Sequence, residues 1–219
     1  MDTLRVEFHC HTIFSKDSLT KPENLISAAR QKGLQRVIVT DHNSIQGALR
    51  ARQIAPELII VGEEIMTTRG EILAAFVTEE IPARLTPQET IRRLRDQGAF
   101  ISVSHPFDVH RNGHWDLPDL LEITPLVDAI ETFNARCMSP AFNTQAQAFA
   151  KEHNLPGTVG SDAHTAFELG TASLTLENFA NGEDLRRVIR GGQAHTRLSS
   201  PLIHLTSRYA VLVKKIRRR

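Results

Sequence analysis

The chain is short of cysteine. Of 219 residues only Cys10 and Cys137 carry thiols, too few and too far apart for a disulfide framework or a cysteine-rich zinc module. A reducing, cytoplasmic setting is therefore expected. It also lacks an excess of charge of either sign: 26 Lys and Arg against 25 Asp and Glu leave a formal net charge of +1, so bulk electrostatics does not advertise a nucleic-acid groove, although basic residues can still cluster locally. No apolar run approaches the roughly 18 residues of a membrane span. The first residues include Asp2 and Glu7 and lack the basic and apolar regions of a secretory leader. A Walker loop, a Gly-x-Gly-x-x-Gly fingerprint and a Gly-x-Ser-x-Gly elbow are all missing, and neither cysteine has a catalytic context. Nucleotide-driven transfer, hydride transfer and covalent acyl chemistry are poor first readings.

What is present is an ordinary globular composition, 41% hydrophobic and 23% charged, on a length that suits one domain. Short β-rich runs at residues 4–8, 36–40, 58–61, 72–77, 99–103, 128–133 and 158–160 read as strands. Helical signals lie between them. Pro22 suits a first turn ahead of Leu25, Ile26 and Ala29, and Thr86, Pro87 and Glu89 form a capping box that opens a helix running to Gly98. Two further helices are expected over 140–153 and 183–190. The alternation predicts an α/β fold of parallel strands, as an open sheet or a closed barrel. The longest loop, Pro106 to Pro118, is rich in His, Arg, Asn and Gly, and such loops often border sites.

The expected strand ends carry an unusual load. His9 and His11 flank Cys10 after the first, so a period of two points both imidazoles to one face, and Asp17 follows in the loop. Thr40-Asp41-His42 follows the second strand, Gly62-Glu63-Glu64 the third, Ser104-His105-Pro106 the fifth and Ser161-Asp162-Ala163-His164 the last. One histidine at a strand end is usually just a hydrogen-bonded polar group. Five strand ends bearing His, Asp or Glu are another matter, because parallel α/β folds gather these ends at one mouth, and so many buried titratable groups are costly without a compensating metal. Imidazole and carboxylate are donors that Zn, Mn and Fe share.

Together these motifs, spanning roughly residues 4 to 196, resemble the polymerase and histidinol phosphatase (PHP) family of phosphoesterases. The resemblance implies a distorted seven-stranded (β/α) barrel with two or three divalent cations at the C-terminal ends of its strands. Carried over by position, His9, His11, Glu64 and Asp162 hold one metal, Glu64 and His105 a second, and Asp17, His42 and His164 a third. Glu64 is assigned rather than Glu63 because it is the third residue of Gly-x-Glu. Some family members have another histidine about thirty residues after the one matching His105. Here that stretch reads Glu131 to Arg136, with Asn134 as the available oxygen donor, while Cys137 is read as a buried thiol.

The function expected is hydrolysis of a small phosphomonoester or short nucleotide by metal-activated water. The competing readings are a nuclease or proofreading-type exonuclease, a non-catalytic metal-bearing module and a deaminase-like amidohydrolase. Arg111 and Arg136 are candidate phosphate clamps, since guanidinium meets phosphate bidentately. His110 and His114 are assigned to the loop surface, His153 to a helix end, and His195 and His204 to no site. Residues 1–200 are read as the catalytic domain and 201–219 as a basic amphipathic tail. Its stripe, Leu202, Leu205, Tyr209, Leu212, Val213 and Ile216, is expected to dock on the barrel, the alternative being contact with anionic lipid or nucleic acid. No obligate protein partner is expected.

Overall fold

The computed structural model describes residues 2–217. Nine strands form one sheet: β1 (Thr3–Glu7), β2 (Arg36–Val39), β3 (Ile59–Met66), β4 (Glu71–Ala75), β5 (Phe100–Val103), β6 (Ala129–Asn134), β7 (Gly157–Gly160), β8 (Ala172–Glu177) and β9 (Gln193–Thr196), in the order β7-β6-β5-β4-β3-β2-β1-β8-β9. The sheet nearly closes on itself. Past the ends of β1 and β7, Cys10 bridges Ala163 in parallel and His11 N donates to Ala163 O at 2.8 Å. Seven helices accompany the strands: α1 (Pro22–Gln31), α2 (Gln46–Ile54), α3 (Pro87–Asp96), α4 (Leu117–Ile123), α5 (Pro140–Glu152), α6 (Gly182–Val188) and α7 (Ile203–Arg217).

Two expectations are corrected. The count of seven strands rises to nine among the described residues, because β8 and β9, joined through α6, form an antiparallel pair that extends the sheet beyond β1. The sheet is also mixed rather than parallel: β4 runs antiparallel to both β3 and β5, and β8 antiparallel to β1 and β9. The cause at β4 is local. Thr67 N and Oγ1 both donate to Gly70 O, closing a tight turn that reverses the chain with no room for a crossover helix.

Local signals explain the helices. Thr86 Oγ1 accepts from Glu89 N at 3.3 Å, Ser139 accepts from Ala141 N and Asn181 from Asp184 N, and each satisfies an orphan donor of a first turn. Side-chain alternation then sorts the core. Val37 and Val39 of β2 pack with Leu25, Ala29 and Ala48 of the covering helices, whereas Ile38 joins Val6, Phe8, Phe100 and Val159. Strands as far apart as β2 and β7 share that second cluster, which a flat sheet does not permit.

The tail also differs from expectation. α7 turns Ile203, His204, Ser207, Ala210 and Lys214 toward the barrel, while Leu202, Leu205, Tyr209, Leu212 and Ile216 stand more than half exposed. Of the predicted stripe only Val213 is partly covered. Among the described residues, no helix is long and apolar enough to cross a membrane.

Candidate metal centre

Residues scattered from position 9 to 164 meet at one mouth of the barrel. His9 Nε2 and His11 Nε2 lie 3.1 Å apart, Glu64 Oε2 is 3.3 and 3.4 Å from them, and Asp162 Oδ1 is 3.6 and 3.2 Å from them. All four side chains are buried. A tetrahedral cation with bonds of about 2.0–2.2 Å separates its ligand atoms by about 3.3–3.6 Å, so this spacing is that of a coordination shell. Cys10 faces the other way, into the apolar cluster with Val39 and Ala163.

Hydrogen bonding fixes which nitrogens carry lone pairs. Ser15 Oγ donates to Asp41 Oδ1 at 2.7 Å, so it accepts from His11 Nδ1 at 3.1 Å. His9 Nδ1 donates to Glu131 Oε1 at 2.9 Å, and His164 Nδ1 donates to the Asp162 carbonyl at 2.7 Å. In the neutral imidazoles, Nε2 of all three is therefore an acceptor, and two such acceptors 3.1 Å apart have no proton between them. Glu64 Oε2, Asp162 Oδ1 and Asp17 Oδ1 are likewise buried without a donor. A pocket of converging lone pairs fits a cation, and the bonds to Nδ1 are those that orient metal-ligating histidines.

Glu64 joins this group to a second. Its Oε2 lies 2.9 Å from His42 Nδ1, and its Oε1 lies 3.2 Å from His105 Nε2 while accepting from Ser104 Oγ at 2.8 Å. Glu71 completes this side, with Oε1 3.7 Å from His42 Nδ1 and Oε2 3.4 Å from His105 Nε2. The third group is Asp17, whose Oδ2 is 3.4 Å from His42 Nε2 and 3.3 Å from His164 Nε2. Three donor sets are compact enough to hold an ion: His9, His11 and Glu64; His42, Glu64 and Glu71; and His11, His42 and His164.

Glu71 and Glu131 are the residues that sequence reasoning missed. Glu71 opens β4, and because β4 is antiparallel its first residue, rather than its last, stands at the mouth. Glu131 lies inside β6, where one oxygen serves His9 and the other accepts from His105 N at 2.9 Å and Asn134 Nδ2 at 3.1 Å. This reverses the expected part of Asn134. Its carbonyl oxygen accepts from Arg136 N at 2.9 Å, and its amide nitrogen faces Glu131 and Asp162, so it serves the carboxylates as a donor and offers no oxygen to a metal.

The electrostatics favour positive charge at the centre. Burial opposes a charged His9, yet the combined carboxylates of Glu64, Asp162 and Glu131 raise its pKa well above the ordinary histidine value. His11 is pushed the other way, down to about 3, by burial and by His164 and His42. Glu64 and Asp162 are held far below the usual carboxylate range despite burial, Glu64 chiefly by His9 and His42 and Asp162 chiefly by Arg111 and His9. The backbone is strained at two of these positions, with φ of 21° at His105 and 51° at Asp162.

Arg111 reaches the cluster from the long loop, its Nη2 2.6 Å from Asp162 Oδ2. Arg136 is buried, with Nη1 on Glu168 at 3.1 Å and Nη2 on Ser207 of α7 at 2.8 Å. Both line a cavity of about 510 Å³ together with Asp17, His164, His110 and, from α7, His204, Ser207 and Arg208. His204, given no role by the sequence, thus borders the cavity, and its Nε2 donates to Arg136 O at 3.1 Å. His114 is turned to Arg111 O, His153 stacks near Phe149, and His195 meets Thr175, all away from the cluster.

Comparison with known proteins agrees with this architecture. A PHP domain model matches residues 7–117 and a PHP-associated model residues 140–194. The uncharacterized protein MJ0417 of Methanocaldococcus jannaschii is 34% identical over 187 residues, 83% of this chain and 75% of that protein. Among solved structures, a two-domain protein of Bacteroides vulgatus ATCC 8482, containing a predicted PHP-like metal-dependent phosphoesterase, superposes with a TM-score of 0.74 at 20% identity. The match covers 90% of this chain but 65% of that one, so the chain spans just under two thirds of its length. The lesion-specific endonuclease EndoQ of Pyrococcus furiosus shares the fold at a TM-score of 0.60 and 17% identity, over 91% of this chain and 60% of that one. With a PHP domain model over half of its length and a relative 34% identical over most of both chains, the chain belongs to the PHP domain family.

Proposed function

We propose that this chain hydrolyses a small phosphomonoester or a short nucleotide, using water as the nucleophile at a centre of two or three divalent cations of the Zn, Mn or Fe type. The observation that carries the reading is the cage of His9, His11, Glu64 and Asp162, whose neighbours Asp17, His164 and Arg111 also wall the cavity. Divalent cations bound there supply Lewis-acid polarisation of a phosphoryl oxygen and an acidified water. His9, His11, Glu64 and Asp162 would hold one ion, Glu64, His105 and Glu71 a second, and Asp17, His42 and His164 a third.

The chain's own residues account for the rest. Four hydroxyls close to the cluster donate elsewhere: Ser15 and Thr12 to Asp41, Ser104 to Glu64, and Ser161 to His9 O. Cys10 is buried among apolar groups, and burial raises its thiol pKa far above the ordinary value. None of these groups is poised as a nucleophile, which favours water. Arg111 places a fixed cation between Asp162 and the cavity, where it offsets phosphate charge. Glu131, Ser15 and the Asp162 carbonyl hold three imidazoles in the donor tautomer. With α7 as one wall, the cavity is bounded and of a size that suits a small ester better than a polynucleotide duplex.

The test is phosphate release by Mn-loaded and Zn-loaded protein from a panel of phosphorylated metabolites and short oligonucleotides, repeated in ¹⁸O-water. One labelled oxygen in the phosphate after a single turnover is the expected result. Absence of release from every member with either metal refutes the reading.

A further inference from the structure

α7 turns outward the face that a helix ordinarily buries. Leu205, Tyr209, Leu212 and Ile216 recur at helical spacing, with Leu202 one turn before them, and all five are 55–70% exposed, whereas among the residues of this helix Ala210 is the buried one. A stripe of this kind, on a helix about 22 Å long, is costly to leave in water and marks a surface that meets something apolar. The apolar surface does not stop at the helix. Phe14, after β1, is about half exposed beside Lys16, Lys214 and Arg217, and Met138, after β6, is about half exposed at the cavity that Arg208 also lines. The charges around this face have one sign. Arg208 and Lys215, seven residues apart, form one flank of the stripe, and Arg217 stands on the other. All three are exposed and, among the described residues, none pairs with a carboxylate. From residue 185 onward the chain has ten Lys and Arg and no Asp or Glu.

These charges select the occupant. A second copy of the chain is a poor one, because pairing two such faces sets like charges together with no carboxylate on either helix to offset them. A nucleic acid would engage the cations and leave the apolar stripe in water. An anionic bilayer engages both: its acyl chains cover the stripe, and its headgroups meet the flanking cations, whose stems lie along the interface. The helix is also held in the right sense, since Ser207 meets Arg136, His204 meets Arg136 O, and Lys214 Nζ donates to the carbonyls of Ile13 and Ser15, so that the polar side is fixed to the barrel and the apolar side faces away. We propose that α7, with Phe14 and Met138 beside it, docks the mouth end of the barrel on an anionic lipid surface, the helix lying in the plane of the headgroups. This docking does not depend on which ester the metal centre cleaves.

The test is co-sedimentation of the full chain with vesicles of phosphatidylcholine alone and of phosphatidylcholine mixed with phosphatidylglycerol, at low and high salt. A cation near an anionic surface strengthens binding about fivefold, so three flanking cations predict a preference for the mixed vesicles of at least about tenfold, weakening with salt. The double variant Leu205→Gln with Leu212→Gln should bind them at least about tenfold less, and Lys215→Glu at least about fivefold less, with circular dichroism and metal content unchanged in both. In Tyr209→Trp, fluorescence should shift to the blue on the mixed vesicles and be quenched by brominated acyl chains, while Trp115, buried in the barrel, stays as it was. Binding that is absent, equal on both vesicles, or unchanged in the double glutamine variant overturns the proposal, as does a Tyr209→Trp signal that lipid leaves unmoved. A dimer in sedimentation velocity that the double variant dissolves would assign the face to a second copy instead. Binding of single-stranded oligonucleotide in place of vesicles, lost in Lys215→Glu, would assign it to nucleic acid.

Discussion

Replacing Glu131 by glutamine tests whether the carboxylate beneath the histidines governs metal affinity. Its Oε1 takes the Nδ1 proton of His9 at 2.9 Å, and its Oε2 takes the backbone proton of His105 at 2.9 Å and an amide proton of Asn134 at 3.1 Å. Glutamine offers one accepting oxygen where the carboxylate offers two. Either His9 Nδ1 or His105 N must then face an NH₂ group, so one ligand loses its orientation whichever way the amide turns. The negative charge that makes His9 a stronger donor is lost as well. Removing an outer partner of a metal-ligating histidine typically lowers affinity 10–100-fold, about 1.4–2.7 kcal/mol. Competition against a chromophoric chelator with Zn and with Mn measures this directly, with circular dichroism confirming the fold. If Glu131→Gln binds every equivalent within threefold of the unmodified protein, the orienting role is wrong.

Three further outcomes follow from the same geometry. Glu64→Ala should lose more bound metal than Asp17→Ala by elemental analysis, because Glu64 lies within 3.4 Å of four histidines and Asp17 reaches two; equal loss of one ion would mean that Glu64 does not bridge. Gly160→Ala should cost about 1–3 kcal/mol in urea unfolding and weaken metal binding, since an added Cβ would meet His9 Cβ at 2.4 Å and Glu131 Oε1 at 2.5 Å. Glu63 is raised from 4.5 to about 8 by burial, with only Ile81 N donating to it at 3.0 Å, so the folded chain keeps its proton over a range where the unfolded chain has released it. Stability should therefore fall, relative to Glu63→Gln, as pH rises from about 4.5 to 8, by a few kcal/mol at most. Parallel pH profiles of the two proteins would rule this out.

The strands were legible because their apolar runs are short, β-branched and bounded by turn residues, as at Arg36–Val39 and Phe100–Val103. β9, Gln193–Thr196, has no such signal: its four residues are exposed, and pairing with β8 alone makes it a strand. α2 was equally silent, with no side-chain cap and with Gly47 near its start. That glycine is required by the site, since a Cβ there would sit 2.0 Å from Asp41 Oδ2. The histidines stood out because five strand ends repeated one chemistry. Glu71 did not, because a reader who assumes parallel strands looks at their last residues, and one antiparallel strand inverts the rule.

The terminal helix shows a different limit of periodicity. Hydropathy marks the face of a helix that prefers oil to water, and for α7 that face is Leu202, Leu205, Tyr209, Leu212 and Ile216, all exposed. The docked face instead carries His204, Ser207 and Lys214, because what it meets is polar: the carbonyls of Ile13 and Ser15, and the carbonyl and guanidinium of Arg136. A barrel mouth that must hold charged groups has little apolar surface to offer, so a helix closing it is selected for donors rather than for burial area. The basic, polar side of such a helix reads as solvent-facing in any amphipathic plot, yet here it supplies a wall of the cavity. The tail and the chemistry therefore belong to one structural unit, and changes on the docked face of α7 should reach the substrate before changes on its apolar face do.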